Sequence, residues 1–261
     1  QILRDDDVYY LAGDFFPSDS VNIHAQVYHH EDAGEGHNGN SGTYSFPGTA
    51  RQLPIIFRNT LYTINRTGAV LSAGWDIANH HIEGGVWYEH NISTASRYSS
   101  YVTGPRDLSA PIDTQPDLGV FDQRTVWNTR QAFLQDTMRF LDDSLTVDVG
   151  VKSPHITSEA QALPGVAKKP IVPTSNNQFA SGKLSASKAL LPQFGVRYKL
   201  AEGQEVFASF AKNIAMFQGG FKLGPQAVSQ AIWDSQASLK PEKSRSLEAG
   251  YRIEAGQVAA S

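Results

Sequence analysis

Residues 190–213 read LLPQFGVRYKLAEGQEVFASFAKN, and their pattern decides the fold. From Phe194 the apolar residues fall at every second position: Phe194, Val196, Tyr198 and Leu200. Gly195, Arg197 and Lys199 stand between them. Successive side chains of a strand point to opposite faces, so the segment has one apolar and one polar face. Residues 201–204 (AEGQ) reverse the chain, and Val206, Ala208 and Phe210 resume the alternation opposite Ser209 and Asn213. Two amphipathic strands joined by a tight turn form a hairpin.

The same pattern recurs outward from this hairpin. Residues 8–16 read as a short strand, and 17–20 (PSDS) as a turn. In 21–30, Val21, Ile23, Ala25 and Val27 oppose Asn22, His24, Gln26, Tyr28 and His30. Residues 64–77 place Ala69, Leu71, Ala73, Trp75 and Ile77 in phase. Residues 78–80 turn the chain, and 81–92 return with Ile82, Val86, Tyr88 and Ile92. Residues 126–141 form a long strand whose phase slips near Arg130 and Gln131, which predicts a bulge there. Asp142 and Asp143 make a two-residue turn. In 144–152, Leu145, Val147, Val149 and Val151 alternate with Ser144, Thr146, Asp148, Gly150 and Lys152. Residues 244–254 close the series, with Leu247, Ala249, Tyr251 and Ile253 on one face.

About nine strands result. Tight turns at 17–20, 78–80, 142–143 and 201–204 alternate strictly with four connections of tens of residues. The long ones are 31–54, 93–124, 157–182 and 217–243, the first reading as a polar, Gly-rich loop. A soluble sandwich mixes its loop lengths, and four structureless loops of this size are unusual in one compact domain. An outer-membrane barrel alternates tight periplasmic turns with long extracellular loops. Polar residues on one face of every strand, among them Asp148, Arg197, Lys199, Glu248 and Arg252, would be ruinous in a dry core. In a wide barrel they line a hydrated lumen while Val, Leu, Ile and Phe face lipid. Phe15, Phe16, Trp75, Phe140 and Tyr198, near the tight turns, suit an aromatic girdle.

The totals agree. The chain has 261 residues, a net charge of −4 and no cysteine. The charge argues against a nucleic-acid partner, since no excess of cations exists to neutralise phosphates. Lack of cysteine removes disulfides, thiolate metal sites and thiol catalysis together. Hydrophobic residues make up 40%, less than a tightly packed soluble domain usually carries. No run of about 18 apolar residues is present, which rules out a spanning helix but not strands of about 9–11 residues. The start, QILRDDDVYY, has no signal-peptide pattern, which favours a piece of a longer protein.

Three stretches carry a family resemblance: FGVRYKLAEGQEVFASFAKN, SLKPEKSRSLEAGYR and TINRTGAVLSAGWDIANHHIEGGVWYEHN. The first two resemble late barrel strands of TonB-dependent outer-membrane receptors, and the third a mid-barrel hairpin. The resemblance runs from about Val8 to the end. It implies an all-β fold: an antiparallel transmembrane β-barrel segment, about nine strands of a larger barrel. Residues 1–261 would be part of that barrel, with the plug domain, TonB box and signal peptide absent from this chain. The implied function is energy-coupled uptake of a ferric siderophore or similar scarce nutrient across the bacterial outer membrane. Its implied partners are the iron chelate, a TonB-type energy-transducing protein acting through the plug, and outer-membrane lipid and lipopolysaccharide. A passive porin-like or structural barrel and a soluble secreted β-sandwich that binds carbohydrate are the alternatives.

Individual sites read modestly. His24, Tyr28 and His30 share the lumen face, with His29 and His37 close by. Positions i and i+2 lie about 7 Å apart, too far to chelate a metal without a partner strand, so no metal site is assigned. His80 and His81 sit at a tight turn where polar residues are expected. EDAGEGHNGNSG lacks the alternating calcium-ligand spacing, and the Asn65 and Asn91 sequons have no use in a bacterial barrel. With no nucleophile elbow, phosphate loop or dinucleotide fingerprint, the chain reads as no enzyme and carries no cofactor. Ligand contacts are expected from loop and lumen aromatics and arginines that stack on or pair with a chelate: Tyr44, Phe46, Arg51, Arg97, Tyr98, Tyr101, Arg106, Phe217, Phe221 and Trp233. Lys168 and Lys169 could attract an anionic ligand or lipopolysaccharide phosphate.

Overall fold

Alternating rows make strands, and tight turns between them make neighbours, so the chain builds one continuous antiparallel sheet. The computed structural model describes residues 2–44, 53–101, 118–163, 182–215, 241–255 and 258–260. Among these lie eleven strands: β1 (Ile2–Ser18), β2 (Val21–Tyr44), β3 (Leu53–Ile77), β4 (His80–Tyr101), β5 (Leu118–Phe140), β6 (Leu145–Ala162), β7 (Gly182–Ser187), β8 (Leu191–Ala201), β9 (Gln204–Ala215), β10 (Glu242–Ala255) and β11 (Val258–Ala260). They hydrogen-bond in chain order, with β7 set beside β6 alone. All belong to a single sheet, and among the described residues no second sheet covers the apolar rows, as a sandwich would require.

The nine expected strands are present and the four turns are where the sequence places them, but the long connections are shorter than expected. Residues 31–44, read as loop, continue β2; 93–101 continue β4, and 157–162 continue β6. β3 runs without a break from Ile56 opposite Tyr101 to Ile77 opposite His80. Paired backbones satisfy each other however polar their side chains are, so a glycine- and asparagine-rich stretch is held as strand by its neighbour.

Two local expectations are corrected. The ladders of β5 run through Arg130 and Gln131 in register on both sides, so no bulge lies there; the slip falls between Arg97 and Tyr98 of β4. The turn after β5 takes four residues rather than two. Leu141, Asp142 and Asp143 all have positive φ (54°, 50° and 64°), and Ser144 closes the turn by donating from N (3.1 Å) and Oγ (2.6 Å) to the Leu141 carbonyl. Aspartate tolerates this region and leucine does not, so the sequence carries no signal for Leu141.

The two faces differ in crowding. Leu71, Val86 and Leu134 on the apolar rows are 52%, 53% and 53% exposed, whereas Ser72 and Thr146 on the opposite face are 5% and 6% exposed. Side chains on a concave face shade one another, so the polar face is the interior. The apolar rows begin at the tight turns and end abruptly. They run from Val21 to His29 on β2, Ile77 to Thr67 on β3 and Phe140 to Arg130 on β5. On β9 and β10 they run from Gln204 to Lys212 and from Ile253 to Arg245. Asp136 interrupts the β5 row near its turn, where His80 Nδ1 meets it at 2.8 Å. Rows of 9 to 11 residues, rising ~3.3 Å per residue and tilted ~35–45°, cover about 20–25 Å, the height of a barrel's lipid-facing band. β2 to β5 are more than twice that long and stand well above it. Phe15, Phe16, Trp75, Phe140 and Tyr198 are exposed beside the turns, as a girdle requires.

Candidate functional site

Strand parity decides which side chains meet inside the barrel above the band. On β3, Arg66 and Arg58 have the opposite parity to Leu71 and Ala69, so they point inward with Tyr62 and Thr60. Register places Glu89, Asn91, Ser93 and Arg97 of β4 beside them, and Trp127, Thr125 and Gln123 of β5 follow.

Three clusters form. In the first, Tyr28 OH donates to Glu89 Oε2 (2.6 Å) and accepts from Trp87 Nε1 (3.0 Å). Tyr28 and Glu89 both lie opposite Gly68, whose missing side chain leaves the gap the tyrosine ring crosses. Arg66 Nε stands 3.9 Å from Glu89 Oε1, close enough for charge attraction and too far for a hydrogen bond. In the second, Arg4 grips both carboxylate oxygens of buried Asp32 (3.2 and 3.1 Å), which holds the guanidinium above its ordinary pKa. Tyr62 OH donates to the same carboxylate at 3.3 Å. Burial first, then the Asp32 charge, pushes its pKa up.

The third cluster has the most capacity to bind. Arg97 Nε donates to Thr60 Oγ1 (3.0 Å); burial, then the neighbouring charge of Arg58, lowers its pKa. Arg58 Nε is buried without a hydrogen-bond partner, and so is Gln123 Oε1, two positions along β5 from the level of Arg97; Thr125 Oγ1, Trp127 Nε1 and Ser158 Oγ are also unpartnered but lie four to six positions further down the ladder. Two cations side by side destabilise each other, and a buried orphan polar atom costs about 1–3 kcal/mol. An anionic, oxygen-rich ligand would relieve both.

Of the expected contact residues, Arg97 lies on this inner face. Tyr98 is not a loop residue: it sits on β4 facing outward, buried, with its OH donating to Asp122 Oδ2 at 2.6 Å beside Ser96 (2.8 Å). Tyr44 and Tyr101 also belong to strands, opposite Leu53 and Ile56. Phe46, Arg51, Arg106, Phe217, Phe221, Trp233, Lys168 and Lys169 lie outside the described residues. Arg58, Arg66, Glu89 and Trp127 were not among the expected residues; the inward parity of Arg66, Glu89 and Trp127 was readable in stretches already read as strands, and only Arg58 needs β3 continued upward. The histidines have carboxylate neighbours: His24 with Asp14 (2.8 Å), His30 with Asp6 (2.6 Å) and His29 with Glu31 (3.1 Å). Among the described residues no group of three metal-binding side chains converges.

A family model for the TonB dependent receptor-like β-barrel matches residues 3–261. The chain belongs to that family. Solved structures with the same fold include the unliganded ferric citrate transporter FecA (17% identity, TM-score 0.63) and the ferric yersiniabactin uptake receptor FyuA from Yersinia pestis (18%, 0.64). The copper transporter OprC is a third (17%, 0.61). They cover 99%, 99% and 98% of this chain, which in turn spans 33%, 34% and 37% of theirs. The receptor barrel described here is thus about a third of the length of these structures. No curated protein matches it significantly.

Proposed function

We propose that this chain is the barrel segment of an outer-membrane receptor that imports a scarce anionic chelate, such as a ferric siderophore, with energy supplied through a TonB-type partner. The carrying observation is the half-buried pair Arg58 and Arg97, two cations side by side inside a barrel of this family. The structural neighbours carry ferric citrate, ferric yersiniabactin or copper in their names, so a metal-bearing cargo suits the fold. The energy-transducing partner would act on a plug domain beyond residues 1–261, with the remaining strands closing the barrel. The reading assigns no catalysis to the chain. Family membership disfavours a passive porin.

The test uses the full-length receptor in an iron-limited strain lacking its own copy. Iron-55 uptake is followed from citrate, hydroxamate and catecholate chelates, with and without a proton uncoupler. One chelate should enter, and the uncoupler should stop it. Arg58→Ala with Arg97→Ala should weaken its binding by about tenfold or more, the scale of charge-assisted contacts. Uptake that ignores the uncoupler would make the barrel a passive pore. Unchanged chelate affinity in the double variant would remove the arginine pair from the site.

A further inference from the structure

The outer face carries a carboxylate where lipid is expected. Ladder register aligns Ile82, Asp136, Val149, Phe194, Phe210 and Leu247 in one row across five neighbouring strands and β10, all facing outward. Asp136 is the only charged side chain in that row, and among the described residues the only carboxylate in the apolar rows. Along β5 it stands between Leu134 and Met138, four positions in from the girdle residue Phe140. At ~3.3 Å per residue and a tilt of ~35–45°, that is about 10 Å into the band. A charge in hydrocarbon is costly, and one that is kept there is paired and has a use.

The pairing of Asp136 is half complete. His80 Nδ1 lies 2.8 Å from Asp136 Oδ2, while Asp136 Oδ1 makes no hydrogen bond. Among the described residues none reaches His80 Nε2 either. The pair therefore holds one unused acceptor and one unused ring nitrogen, on a side where hydrocarbon can serve neither. Its side chains are 37% and 27% exposed, open to that side. Rotation about the aspartate Cβ–Cγ bond is soft, so either oxygen can be presented. Beside the pair, Ala73 and Gly84 face each other across β3 and β4, low ground between the exposed Leu71, Trp75 and Leu134. A second wall can come close there.

We propose that this wall is the contact between two copies of the receptor, related by a two-fold axis beside Asp136. With His80 as imidazolium, Nε2–H of each copy donates to the Asp136 carboxylate of the other, and each Nδ1–H keeps its own. Two cations and two anions then close a ring with no net charge and every polar atom bonded. A two-fold contact requires a patch that complements itself, and this pair carries donor and acceptor in equal number. A partner of a single charge would leave one half of the pair unmet. The proposal rests on the lipid-facing rows and not on any cargo.

The test is native mass spectrometry of the full-length receptor in an uncharged detergent, over a concentration series. Wild type should form dimers, and Asp136→Leu, alone or with His80→Leu, should weaken them by about tenfold or more. Both changes make the lipid face more apolar, so the barrel should still fold, and retained heat resistance in dodecyl sulfate gels checks it. The face is read with single cysteines, since residues 1–261 contain none. In lipid vesicles a short bismaleimide should join copies of an otherwise cysteine-free receptor carrying Ile82→Cys, directly opposite Asp136. It should not join copies carrying Leu247→Cys, in the same row on distant β10. A monomeric wild type, dimers that survive both leucine substitutions, or equal joining through the two cysteines overturns the proposal. If the receptor dimerises in this way yet takes up no chelate, the transport reading falls and the contact stands.

Discussion

Two glycines show how single positions hold the sheet. A side chain at Gly68 would overlap the ring of Tyr28 and displace it from Glu89 and Trp87. Gly68→Ala is therefore expected to cost about 1–3 kcal/mol, the penalty of leaving half-buried polar groups unmatched. Urea unfolding of the full-length receptor in lipid vesicles would read it, and an unchanged midpoint would mean the tyrosine relocates freely. Gly203 has φ +70°, and a Cβ there would stand 2.5 Å from the Glu254 carbonyl oxygen. Its own carbonyl accepts from Glu254 N at 2.7 Å, tying the turn to β10. Gly203→Ala should lose about 1–2 kcal/mol through the left-handed conformation alone. Gly203→Asn, which tolerates that region, should recover part of it.

The strand is the scale at which parity acts. Leu71 and Gln26 lie one strand apart near the same height, yet Leu71 faces out and Gln26 faces in. Leu71→Arg should therefore destabilise the inserted barrel by about 2–4 kcal/mol, the cost of a guanidinium at mid-bilayer. Gln26→Arg meets the watery interior and should cost little. Equal losses for both variants would show that the faces are misassigned. Parity was legible in most strands of the band, where alternation is clean; on β5, polar and apolar residues mix on both faces and suggested a slip at Arg130 and Gln131 that the ladders lack. Above the band the outer face becomes polar as well, as at His29, Thr67 and Glu31. Apolar alternation fades there, although the backbone ladder continues. The upper halves of β2, β4 and β6 were read as loops for that reason, and the upper part of β3, with Arg58, was not read as strand.

At the scale of the molecule, the exposed rows set the solvent. Leucine, valine and phenylalanine side chains stand exposed on the apolar face of β2 to β10, an area far beyond what a soluble protein leaves uncovered. The full-length receptor should be monodisperse in detergent and aggregate when it is withdrawn, as light scattering would show. A monodisperse sample in plain buffer would sink the lipid-facing assignment. The same rows explain why the soluble sandwich failed: its core needs a second sheet, and the strands pair into one.

The sequence by itself determined the strands, their order, the tight turns and the face that meets lipid. All of these follow from period-two alternation and turn chemistry, which are local. Tertiary structure alone decided how far the strands rise above the band, the slip at Arg97 and Tyr98, and the left-handed Leu141. It also decided which polar residues meet across strands. Arg58 and Arg97 are 39 positions apart, and His80 and Asp136 are 56. Only ladder register brings such pairs together, and register is a property of paired backbones rather than of any one stretch of chain.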